Sequence, residues 1–63
     1  MNKTVNGSYE DHDQAKNVWD DLVGSGIPQD NIFIDEEAKV VKVSIPAEEE
    51  REIREIFTRH RLS

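Results

Sequence analysis

The sequence predicts a single α+β domain with the order β-α-β-β-α, a three-stranded antiparallel sheet in the order 1-3-2 with two helices on one face. Three observations carry that prediction. Ala15, Val18, Trp19, Leu22 and Val23 recur at i, i+3, i+4, i+7 and i+8, the spacing of one helix face. Val41, Val43 and Ile45 alternate with Val40, Lys42 and Ser44, the period of a half-buried strand. Ile53, Ile56 and Phe57 form a second helical stripe behind three glutamates and ahead of Arg59, His60 and Arg61. A right-handed crossover that leaves room for a third strand between the first two places both helices on one face. This is the ferredoxin-like arrangement lacking its last strand, and it leaves the first strand as a sheet edge with unpaired main-chain groups.

Each element has its own local cause. Lys3 to Gly7 reads as a short strand, followed by the polar Ser8-Tyr9-Glu10-Asp11. Asp11 with Gln14 three residues on is a capping-box pair, so a helix begins near His12. Gly24-Ser25-Gly26 and then Pro28 stop it. Ile32 to Ile34 and Lys39 to Ile45 are β-rich runs that Asp35 to Ala38 joins as a hairpin. Pro46 introduces the second helix, Ala47 to about His60, on which Glu50 with Arg54, Arg51 with Glu55 and Glu55 with Arg59 stand four apart. The expected core is Trp19, Leu22, Val41, Val43, Ile53, Ile56 and Phe57.

A chain of 63 residues fits one domain, and one this small buries only about 60% of its unfolded surface. Mean hydropathy is −0.77, a value tolerable for a folded chain only because the apolar residues are periodic. There is no cysteine, hence no disulfide and no thiolate site, which suits a reducing cytoplasm. No apolar run reaches the roughly 20 residues of a membrane span, and Met1 to Val5 is no signal-peptide core. Fourteen acidic against eight basic residues leave a net charge of −6, which repels phosphate backbones and anionic lipid. The expectation is therefore a cytoplasmic protein with neither nucleic acid nor membrane as partner.

No stretch carries catalytic chemistry. Nucleophile with base, paired carboxylates in a cleft and a phosphate-cradling glycine loop are all missing from the sequence, and Gly24-Ser25-Gly26 follows a helix where a phosphate loop precedes one. No cofactor is expected. Glu10-Asp11-His12-Asp13 is the only grouping of hard-metal ligands, but consecutive side chains at a helix start diverge, so capping and dipole complementation rank ahead of metal binding. His60 reads as a structural histidine, closing the core or capping the last carbonyls, and Arg59-His60-Arg61 as cations at a helix C-terminus.

The segments Thr4-Val5-Asn6-Gly7-Ser8-Tyr9-Glu10-Asp11 and Gly26-Ile27-Pro28-Gln29-Asp30-Asn31-Ile32, with Ala15, Val18 and Leu22 between them, resemble the small bacterial heat-induced, general stress protein family. The resemblance covers the first half of the chain. It implies a small stress-associated cytoplasmic α+β protein and supplies no catalytic residue. Longer members place a Gly and a final strand after the position of Arg59-His60, where this sequence reads Arg61-Leu62-Ser63.

What remains is a surface. With Ile32 and Ile34 turned to the helices, Phe33 joins Val40 on the open sheet face beside Lys42, while Lys3 and Val5 lie on the free edge strand. Lys3, Val5, Phe33, Val40 and Lys42 are the candidate interaction surface. The expected function is an interaction or regulatory module acting by self-association or protein binding. A homodimer is reached either by pairing of the first strand with its copy or by packing of sheet faces through Phe33 and Val40, the edge route ranking first. An RNA- or small-ligand-binding domain ranks second, since neither central strand carries an aromatic for base stacking, and an enzyme or metal protein ranks last.

Overall fold

The computed structural model describes residues 2–62 and has the expected order. Strand β1 (Asn2–Ser8) leads to helix α1 (His12–Gly24), then β2 (Ile32–Asp35), β3 (Val40–Pro46) and helix α2 (Glu50–Arg59), with single 3-10 turns at Gln29–Asn31 and Ala47–Glu49. The sheet has three strands in the order β1-β3-β2, both pairings antiparallel. Register sets Val5 opposite Val43 and Val43 opposite Ile32, so one layer of β-branched side chains crosses the whole sheet. Val41, Val43 and Ile45 are buried under the helices while Lys42 between them is exposed, as the alternation requires. Among the described residues no fourth strand pairs with β1.

The α1 cap forms with one change of partner. Asp11 Oδ1 accepts from the Gln14 N–H at 2.8 Å, and Gln14 Oε1 accepts at 2.8 Å from the N–H of Glu10, one residue before the cap. Asp11→Ala should therefore cost about 1 kcal/mol, whereas Asp11→Asn, which keeps the acceptor, should cost little in a urea titration. At the other end the Ile27 N–H reaches the Leu22 carbonyl at 3.1 Å and Gly26 has φ 95°, so Gly26 is the residue in this stop that requires glycine's freedom.

Helix α2 closes with the same hydrogen-bond pattern, Leu62 N–H to Phe57 carbonyl at 2.9 Å, but Arg61 takes the left-handed position at φ 63°. Its long side chain bears a steric cost there that glycine escapes. Helix α2 starts at Glu50 and not at Ala47, because the first turn after Pro46 is tightened to 3-10 geometry. Lys39 falls outside β3: with φ 55° it completes the hairpin turn, whose amides at Glu37 and Ala38 both donate to Asp35 Oδ1.

The core contains six of the seven expected residues and several more. Leu22, Val41, Val43, Ile53, Ile56 and Phe57 are buried, joined by Val5, Tyr9, Ala15, Val18, Ile27, Ile32 and Ile45. Trp19 is the correction. It is only partly buried, packed against the core from outside, because α1 leans its Ala15, Val18 and Leu22 row onto the sheet and leaves Trp19 at the margin. Ile34 is likewise turned to the helix side as expected yet remains 36% exposed, since β2 is an edge and α1 does not reach over it.

Candidate functional site

The phase of the β1–β3 ladder decides which groups the free edge presents. Tyr9 N–H donates to the Lys39 carbonyl at 2.9 Å, just beyond the last strand pair, Ser8 with Val40. Residues that exchange hydrogen bonds alternate along an antiparallel pair, so Gly7, Val5 and Lys3 direct their main-chain groups at β3. Asn2, Thr4, Asn6 and Ser8 direct theirs outward, and their side chains lie on the open face of the sheet.

Of the five candidate residues, Phe33, Val40 and Lys42 share the open face. Phe33 is 58% exposed and directly opposite Lys42, which in turn faces Asn6. Val40 is half-buried between Ser8 and Asp35. Lys3 and Val5 project to the other side. Val5 is 1% exposed in the core, so its side chain belongs to no surface. The Lys3 ammonium meets Glu50 Oε1 at 3.4 Å on α2. The five residues thus separate into an open-face group and an edge strand whose contribution is main chain.

Glu50 also accepts from Arg54 Nε and Nη2 at 3.1 and 2.9 Å. The Arg54 hydrogen bond first and the Lys3 charge second hold the Glu50 carboxyl below the usual glutamate range. A folded-state value below the unfolded one means that this stabilisation is complete above about pH 4.3 and is lost as pH falls through the folded value. The expected outcome is a small acid-side loss of stability that Glu50→Gln removes, read by thermal melts between neutral and acidic pH. The other two expected pairs on α2 are absent among the described ion pairs. Arg59 Nη1 turns instead to Asp21 Oδ2 on α1 at 3.2 Å, where His60 Nε2 also lies at 2.9 Å.

His60 is thus part of a clamp between the helices. Its carbonyl, left over at the α2 C-terminus, accepts from Gln14 Nε2 at 2.7 Å, so Gln14 serves the start of one helix and the end of the other. Asp11 is occupied as the α1 cap, and among the described residues no three His, Cys, Asp or Glu side chains are grouped to hold a metal ion. No described helix is long and apolar enough to cross a membrane.

Sequence reasoning missed a shallow groove between the helix side of β2 and α1, lined by Ile34, Glu36, His12, Ala15, Lys16 and Trp19. The signal in the sequence is the α1 stripe, of which Trp19 and Val23 are only partly buried. Comparison with family models, with curated proteins and with solved structures returned no match to this chain.

Proposed function

We propose that the chain is an interaction module that acts by self-association or by binding another protein. The observation that carries this reading is the 58% exposed ring of Phe33 on a sheet face that no other element covers among the described residues. Ile34, the other large exposed apolar residue, follows it on the opposite face of the same edge strand, so a chain docking on β2 would bury both. The outward main-chain groups of β1 offer a second place for company. A stress-associated setting rests on the family resemblance alone, and a cytoplasmic one on that resemblance and on the lack of cysteine.

Two titrations followed through amide resonances test the reading: dilution of the protein, and addition of single-stranded RNA to it. Dilution-dependent shifts in β1, β2 or the open face support it. Shifts with RNA and none on dilution would replace it with nucleic-acid binding through the sheet.

A further inference from the structure

We infer that the occupant of the β1 edge is a second copy of this chain, joined antiparallel about a two-fold axis at Val5 to give a continuous six-stranded sheet. The inference rests on the interaction reading above and specifies its surface and partner. Its first ground is the outward phase of Asn2, Thr4, Asn6 and Ser8. About an axis at Val5, Thr4 falls opposite Asn6 of the copy and Asn2 opposite Ser8, so residues with free N–H and C=O groups meet one another. Lys3 falls opposite Gly7, which has no side chain to obstruct it.

The second ground is charge. No two like charges face each other in that register: Thr4, Asn6, Asn2 and Ser8 are neutral, and Lys3 meets glycine. Helix α2 packs over β1, and its Glu50–Arg54 row begins above Lys3. Within each copy Glu50 holds both Lys3 and Arg54, so the charges nearest the edge are paired before the copies meet. The strand pair is therefore self-complementary in hydrogen bonding and sets no like charges opposite each other.

The third ground is the contrast with β2. Phe33 and Asp35 are bonded to β3, and the Ile32 N–H is already given to the Gln29 carbonyl, which leaves Ile34 as the one strand residue with both main-chain groups free. Self-pairing there would also carry the hairpin carboxylates Asp35, Glu36 and Glu37 toward Asp30 of the copy. Like charge excludes from β2 what neutrality permits at β1.

Hydrogen exchange on the full chain, across micromolar to millimolar protein, reads the arrangement directly. The Thr4 and Asn6 amides should slow by at least about tenfold as concentration rises, while Val5 and Gly7, bonded within the monomer, stay protected throughout. Thr4→Pro removes an outward donor without touching the β1–β3 ladder and should weaken dimerisation about tenfold or more, with circular dichroism confirming the fold. Phe33→Glu should leave the dimer intact. Thr4 and Asn6 exchanging at one rate at every concentration would overturn the inference even if Thr4→Pro failed to fold. If the mass then still doubled and Phe33→Glu abolished the doubling, the edge would be wrong and the interaction reading would stand on the open face.

Discussion

Phe57→Ala is expected to lower the unfolding free energy by about 3–5 kcal/mol, close to the whole stability of a domain this small, and so to leave the chain largely unfolded at room temperature. The ring is buried where α2 crosses β1, in contact distance of Gly7, and its carbonyl takes the Leu62 N–H that ends the helix. Removing it opens a cavity against the sheet and loosens the packing of the terminal turn together. Trp19→Ala, a larger truncation, should cost less, about 1–2 kcal/mol, because part of the indole already lies in water at the groove margin. Urea titrations of the two variants decide the point: an equal loss at both sites would place Trp19 in the core after all.

Gly7→Ala is the second large effect. A Cβ at Gly7 would stand 2.7 Å from Phe57 Cδ2, 3.0 Å from Cε2 and 3.1 Å from Leu62 Cδ1, while Gly7 itself sits in extended strand backbone where alanine has no conformational objection. Steric overlap is the entire problem. Overpacking of this kind costs about 1–3 kcal/mol, and the ring must tilt or the strand must move away from α2. Because the clash has one principal partner, it should be relieved in the double variant Gly7→Ala/Phe57→Leu. A double-mutant cycle should give a total loss smaller than the sum of the single losses, and strict additivity would show that the ring is not what the methyl meets.

The strand order and the core face of β3 were legible because period and turn residues agreed at every level: Val41, Val43 and Ile45 alternate, Pro46 stops the strand, and Asp35 organises the hairpin. The capping partnership of Asp11 and Gln14 was legible for the same reason, being local. The second role of Gln14, donating to the His60 carbonyl 46 residues away, was not, since nothing in the spacing of either residue announces the helix crossing. Arg59 shows the same limit. The i, i+4 rule offered Glu55, but α1 brings Asp21 within 3.2 Å and tertiary packing takes precedence. Periodicity places Trp19 in the core and turns Ile34 to the helix side, but it reports the direction a side chain faces and not whether anything covers it.

For the candidate surface, Phe33 and Lys42 followed from strand alternation, whereas Lys3 and Val5 were grouped with them by proximity to the edge. The register separates the two groups to opposite faces, and the atoms that make β1 an edge are those of Asn2, Thr4, Asn6 and Ser8. A resemblance confined to punctuation residues such as Gly26 and Pro28 explains turns and helix stops. It carries no side chain to an interface.

The most direct measurement of the central claim, that this chain associates through its uncovered sheet, is molar mass in solution by light scattering from micromolar to millimolar protein. The account predicts a mass rising from the 7.3 kDa of the monomer toward twice that value, with Thr4→Pro displacing the rise to higher concentration and Phe33→Glu leaving it in place. A wild-type mass fixed at 7.3 kDa over the whole range would contradict self-association by either the β1 edge or the open face.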